Sequence, residues 1–207
     1  MALGDNYATS DQLKGYIGQS TSDSTDNTRI TDALNSASRA IDKYCQRQFN
    51  VAASATARVF FPDGDWKTRV NDISTSSGLI IKTDTAGDGT YATTWAATDY
   101  QLEPLNGVVD GETGWPYYVI RAVGSNRFPC YWADTIAPLQ VTATWGWAAV
   151  PADVKQACLI LASNYFRLAG APFGVANMDQ FGPIRVKTMP QVMELLNPYV
   201  LWPVLVG

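Results

Sequence analysis

A change of hydrophobic period, from helical to strand-like and back, constrains this chain more than any other feature of its sequence. Between 29 and 49, Ile30, Ala33, Leu34, Ala37, Ile41, Tyr44, Cys45 and Phe49 recur at three- and four-residue steps, with Arg29, Asp32, Arg39, Asp42, Lys43 and Arg47 between them. That spacing places the apolar residues on one side of a helix and the charges on the other. It predicts a long amphipathic helix over 29–49, its stripe facing a core or a neighbouring subunit. The period then shortens. Runs at 58–61, 79–83, 91–95, 117–123 and 139–147 are rich in Val, Ile, Thr and aromatics, and turn clusters such as Pro62-Asp63-Gly64, Gly87-Asp88-Gly89 and Asp110-Gly111 separate them. This pattern predicts an antiparallel β-subdomain. Six of the seven tryptophans (Trp66, Trp95, Trp115, Trp132, Trp145, Trp147) fall in it, which suits a small sheet that builds its core from large side chains.

The helical period returns at Pro151, a residue tolerated in a first turn, with Asp153 near the positive end of the helix dipole. Val154, Ala157, Cys158, Leu161, Tyr165 and Leu168 then mark a helix that Gly170 can stop, and Leu159 and Ile160 widen its apolar face. At the other end of the chain, Thr9 or Ser10 caps a short helix through Gly18, with Leu13 and Ile17 on one face. The polar segment 19–28 is expected as a loop ending in a cap near Thr25 or Asp26. After an ordered loop over 171–187, with a short hairpin expected near 184–186, Pro190 opens a last helix carrying Val192, Leu195 and Leu196, and Pro198 ends it. The fold class is therefore α+β: a small helical bundle from the N- and C-terminal helices with an inserted antiparallel β-subdomain. The expected organisation is N-terminal helices over 1–54, the β-rich insertion over 55–147, C-terminal helices over 148–198 and an apolar tail over 199–207.

Composition narrows the chemistry. The 207 residues contain no histidine, which removes the commonest general base and the commonest transition-metal ligand. The expectation is a protein that is not an enzyme and has no catalytic, cofactor-binding or metal-binding residues. Fifteen basic against nineteen acidic residues, with no basic run, argue against tight sequence-independent binding to DNA. No stretch is apolar enough to span a bilayer and the start lacks a basic, apolar leader, so no membrane is expected. Three cysteines, Cys45, Cys130 and Cys158, form no CxxC pair and read as small buried hydrophobes.

Two further patterns resemble sites. Residues 84–90, DTAGDGT, look like the start of a calcium loop, but Ala86 and Trp95 stand where oxygen ligands are required, so a hairpin turn with Gly89 at positive φ is expected. Asp63, Asp65, Asp72, Asp110 and Glu112 offer carboxylates that a glycosidase could pair, and the tryptophans could stack on sugar rings. A carbohydrate-binding or hydrolytic β module is thus the alternative function, with turn-forming Asp and core Trp as the plainer account. The segment 199–206, Tyr-Val-Leu-Trp-Pro-Val-Leu-Val, carries no charge and would expose a large apolar patch in water. It either packs on its own core or docks on a partner.

With these elements in place, the chain resembles the head-to-tail connector (adaptor, or head completion) proteins of long-tailed bacteriophages, in the form with a β-rich insertion. The resemblance is carried by YATSDQLKGYIG and ITDALNSASRAIDKYCQRQF near the start, and by TATWGWAAVPADVKQACLILASNYF followed by PFGVANMDQFGPIRV near the end. DGTY and TDYQLEPLNG in the middle carry it less specifically. It implies a structural virion protein made in the host cytoplasm and placed at the capsid vertex. There a homo-oligomeric ring of twelve copies would join the portal protein to the downstream connector, stopper or tail protein, with DNA passing through the channel without specific binding. No cofactor is implied. Partner contacts are expected from Leu201, Trp202, Val204 and Leu205 in the tail, with Phe173 and Phe181 as further candidates, because large apolar side chains carry most binding energy.

Overall fold

The computed structural model describes residues 4–22, 24–130, 136–170 and 189–201, with the side chains of 169 and 170 left out. The chain divides into two compact units, one from Leu3–Phe49 and Val150–Gly207, the other from Asn50–Ala149. The class is α+β, with helices in the first unit and antiparallel sheets in the second. Among the described residues no helix is long and apolar enough to cross a membrane.

The helical unit contains α1 (Ser10–Ile17), α2 (Asn27–Cys45), α3 (Ala152–Gly170) and α4 (Pro190–Leu196). Thr9 caps α1 through a reciprocal box: its hydroxyl accepts from the Gln12 N–H, and the Gln12 side chain accepts from the Thr9 N–H. Gly18 closes the helix in the left-handed conformation, its N–H returning to carbonyls of the last turn. Asp26 holds the N-cap position of α2, but its carboxylate bonds the Arg29 guanidinium at 2.7 Å instead of a backbone N–H. The helix is also shorter than the periodicity predicted. It stops at Cys45 because Gln46 turns left-handed, with φ of 55°, and Arg47 and Phe49 are buried from beyond the helix.

Leu13, Ile30, Leu34, Ile41, Val154, Cys158, Leu161, Val192 and Leu196 form the helical core. α2 and α3 supply most of it. Ser38, mid-way along α2, bonds the Leu34 carbonyl with its hydroxyl, accepts the Tyr7 N–H at 3.1 Å and lies 3.5 Å from the Cys158 sulfur. Small side chains at that crossing let the two helices approach while the Ser38 hydroxyl keeps its hydrogen-bond partners.

The β unit contains β1 (Thr56–Phe60), β2 (Lys67–Ile73), β3 (Ile80–Thr83), β4 (Thr93–Thr94), β5 (Tyr100–Glu103), β6 (Val108–Val109), β7 (Glu112–Thr113), β8 (Tyr117–Ala122) and β9 (Leu139–Ala143). One antiparallel sheet has the order β1-β9-β3-β4, a second β2-β8-β5, and β6 with β7 forms a hairpin. Beyond β9 the chain still pairs: Val51 bridges Gly146 and Ile73 bridges Trp145, which places residues 50–52 with this unit. Gly146 is required there. A Cβ at that position would stand 1.8 Å from the Asn50 carbonyl oxygen, and φ is 103°.

Ile73, Ile81, Ile120, Phe128, Leu139, Val141 and Trp145 form the centre of the β core. Each buried indole finds an acceptor: Trp145 donates to the Thr56 carbonyl at 2.8 Å and Trp147 to the Asp72 carboxylate at 3.0 Å. Trp95 stacks on Phe128 with centroids 4.7 Å apart and donates to Thr83. Trp66 departs from the expectation of core tryptophans, being half exposed, and Trp132 lies outside the described residues.

Candidate functional site

The carboxylates singled out as a possible glycosidase pair are spread over separate elements. Asp63 accepts the Arg69 N–H at 2.8 Å, just before and within β2. Asp65 sits beside the Cys130 thiol, and Asp72 holds the Trp147 indole. Asp110 lies in the exposed two-residue turn between β6 and β7, and Glu112 follows it as the first residue of β7. Three of the five are thus engaged by protein donors. The exposed ring of Trp66, which a sugar would need as a platform, carries the Arg127 guanidinium over its face. These are structural duties, and each follows from local chemistry: turn carboxylates take backbone N–H groups, and buried indoles take acceptors.

The calcium-like segment forms the turn between β3 and β4. Asp84, at its start, is enclosed and accepts the N–H groups of Ala86, Gly87 and Gly89 at 3.0, 2.7 and 2.7 Å. Burial raises its pKa, but the N–H groups of Gly89, Gly87, Ala86 and Asp88 together outweigh burial and hold the carboxyl below the usual range. Gly87 and Gly89 take φ of 75° and 86°, which lets the backbone curl around the carboxylate. The carboxylate is therefore spent on its own loop. Among the described residues no group of three or more acidic, Cys or His side chains is placed to hold a metal ion.

The thiols are poorly disposed to attack. Burial pushes Cys45 up to about 12, against a smaller lowering by Arg47, and burial together with the Asp65 hydrogen bond pushes Cys130 up to about 11. Burial also raises Cys158. A thiolate is the reactive form, so at neutral pH these side chains serve as apolar fillers.

A densely bonded polar cluster stands in the helical unit. The Tyr7 hydroxyl donates to the Asp42 carboxylate and accepts the Phe49 N–H at 3.1 Å, while the Arg39 guanidinium lies 3.1 Å from Asp42. Burial first, then the hydrogen bond to Asp42, raises the Tyr7 phenol far above its ordinary value; burial likewise raises Asp42, against lowering by Tyr7 and Arg39. The cluster ties the segment before α1 to α2 and to the chain leaving it. A substrate has no access to a hydroxyl whose ring is 1% exposed.

Of the six residues expected to contact partners, Leu201 is described and Phe173, Phe181, Trp202, Val204 and Leu205 lie outside the described residues. Leu201 is half-buried, and its N–H donates at 2.9 Å to the Cys45 carbonyl at the end of α2. Tyr199 packs edge-on against Phe49 with centroids 5.8 Å apart, and Asn197 accepts the Tyr44 hydroxyl at 2.6 Å. The chain is thus fastened to its own helical unit as far as Leu201. Sequence reasoning missed the apolar side chains that the β unit exposes: Phe61, Trp66, Val59, Leu105 and Ile136 are each at least half exposed. For Phe61 a signal existed in Pro62, which ends the strand and leaves the preceding ring outside it.

No family model matches the chain, and no curated protein matches it. Experimental structures do. A chain in the neck of an empty gene transfer agent particle, computed with C6 symmetry, is 20% identical with a TM-score of 0.57, over 97% of this chain and 93% of that one. This chain has the fold of that neck chain. A chain in the neck of a native particle, computed with C12 symmetry, is 19% identical with a TM-score of 0.51, over 100% of this chain and 99% of that one. A third, in the virion of the native gene transfer agent, is 19% identical with a TM-score of 0.53, over 100% and 95%. The fold likeness agrees with the connector resemblance carried by the two ends of the sequence.

Proposed function

We propose that the chain is a structural virion protein of the head-to-tail connector family. On this reading it forms a ring of twelve copies in the neck of a phage-like particle, binding the portal on one side and the downstream connector, stopper or tail protein on the other. DNA passes through the ring during genome packaging and release, and no bond is made or broken by the protein. The observation that carries this reading is the fold likeness itself: it spans at least 97% of this chain, so both units find counterparts in a single neck chain. Cyclic symmetry in the neck structures supports a ring, and their C12 symmetry supports twelve copies.

The chemistry fits a part that holds and guides. An excess of acidic residues repels the phosphate backbone weakly, so DNA can slide past without being gripped. The end of the chain supplies docking side chains: Leu201 fixes where the tail leaves its own subunit, and Trp202, Val204 and Leu205 beyond it are the partner contacts, with Phe173 and Phe181 as additional ones. The test is direct. Purified protein mixed with its cognate portal should give a ring seated on the portal by electron microscopy. A protein that stays monomeric in the presence of that portal refutes the reading.

A further inference from the structure

The β2-β8-β5 sheet concentrates positive charge in a unit whose overall charge is negative. In register, Lys67 stands directly opposite Arg121, and Arg121 opposite Gln101; in the next row Arg69 stands opposite Val119, and Val119 opposite Glu103. Cross-strand partners share a face, so three cations and one carboxylate project from the same side. Lys67 and Arg69 are exposed, and the Arg121 side chain is 43% exposed while bonding Glu103 at 2.6 Å. Over residues 50–149 as a whole, six basic residues are outnumbered by ten acidic ones. Like charges set directly opposite each other destabilise a sheet. Glu103 offsets part of this charge through its pair with Arg121, and an anion brought from outside would relieve the repulsion between Lys67 and Arg121.

The same unit presents such an anion. Between β6 and β7 the turn Asp110-Gly111 takes φ of 51° and 85°, and residues 110–114 are all exposed, which sets the carboxylates of Asp110 and Glu112 at a projecting tip. We propose that the Lys67–Arg69–Arg121 face receives the Asp110–Glu112 turn of a second copy of this chain. The inference rests on the ring reading above and gives that ring a contact. Two different patches of one unit with opposite charge make a heterologous interface, which repeats head to tail and closes when the rotation allows. Duplex DNA is the competing anion. A long polyanion would also meet the unit's acidic excess, whereas a two-carboxylate turn matches a patch of three cations.

The full chain tests this by charge swapping, with ring formation followed by electron microscopy and analytical ultracentrifugation over a range of salt. Lys67→Glu/Arg69→Glu and Asp110→Lys/Glu112→Lys should each require roughly tenfold more protein to assemble, rising salt should weaken the wild-type ring, and the four changes combined should restore assembly. The milder Lys67→Gln/Arg69→Gln, checked by circular dichroism melting, should weaken assembly without altering the fold. Wild-type rings with variants that assemble equally well, or a combined variant that stays apart, would overturn the contact and leave the ring reading intact. A wild-type chain that forms no ring alone or on its portal removes both. Loss of duplex DNA retention in Lys67→Glu/Arg69→Glu with rings unchanged would assign the face to DNA and overturn the proposal.

Discussion

Two truncations separate the part of the C-terminal segment that belongs to the fold from the part proposed to dock. Stopping the chain after Asn197 removes Tyr199 from Phe49 and removes the Leu201 N–H from the Cys45 carbonyl. An aromatic pair of this edge-to-face kind contributes about 1 kcal/mol beyond its buried area. The lost hydrogen bond, which satisfies one of the open carbonyls at the end of α2, contributes about 1 kcal/mol. Losing the apolar surface that half-buried Tyr199, Val200 and Leu201 bury against the helical unit adds about 1 to 2 kcal/mol. The total is about 3 to 4 kcal/mol, enough to move a urea midpoint by roughly 1 to 2 M for a unit of this size. Stopping after Leu201 keeps every one of these contacts and should change stability by less than about 0.5 kcal/mol.

Far-ultraviolet circular dichroism is the right probe. Tryptophan emission would report the β unit, since Trp202 is the one tryptophan outside 50–149 and both truncations delete it. The expected result is a destabilised chain ending at Asn197 and a chain ending at Leu201 that folds like the full protein but seats poorly on the portal. Equal stability of the two would refute the packing argument for Tyr199 and Leu201. If the chain ending at Leu201 unfolds as readily as the shorter one, residues 202–207 belong to the core. Wild-type assembly by that chain removes the tail from the set of partner contacts.

Tyr7→Phe keeps the ring and deletes a hydroxyl that serves the Asp42 carboxylate and the Phe49 N–H, so a chemical melt should show a loss of about 3 kcal/mol; a loss below about 0.5 kcal/mol would mean that water replaces the hydroxyl. Gly146→Ala forces a Cβ into the Asn50 carbonyl at a φ that disfavours any side chain, and should cost more than about 3 kcal/mol, seen as loss of the β unit's near-ultraviolet signal. For pH, the Cys45 thiol titrates near 9.0 when the chain is unfolded and at about 12 when folded. Its stabilising contribution is complete below pH 9.0 and is lost as the pH rises from there toward about 12, at up to about 1.4 kcal/mol per unit. Cys45→Ala should flatten that part of the stability curve, and an unchanged slope would sink the assignment.

The helices were legible because burial against one neighbour imposes a period that the sequence must repeat. The end of α2 was not. Gln46 takes a left-handed φ without being Gly or Asn, and it does so because the burial of Arg47 and Phe49 demands a change of direction that no local signal records. β2 was invisible for a different reason. Lys67, Arg69 and Asn71 alternate with buried Thr68 and Val70, but a register shift between Arg69 and Ile73 ends the alternation before it becomes persuasive. In the Asp84 turn the glycines could be read and the role of the carboxylate could not, since a buried Asp that gathers N–H groups and one that gathers a cation look alike in sequence. The cationic face was beyond reach altogether: Lys67 and Arg121 are far apart along the chain, and strand register alone makes them neighbours.

That dependence on register also decides how well the two charged patches can serve as contacts. Sliding β2 by one residue against β8 would turn Lys67 and Arg69 into the core and Thr68 and Val70 out of it, so burial of charge forbids the slip and fixes the cations where they stand. The opposing tip is held by an Asp-Gly turn closed by the Val108–Thr113 and Val109–Glu112 pairs, a geometry that leaves its backbone little freedom. Neither patch has to order its backbone on contact, and ordering is a large part of what association costs. A pairing of exposed charges that would be worth little between floppy surfaces can therefore discriminate between neighbours, and in a closed ring the same small preference acts at every interface.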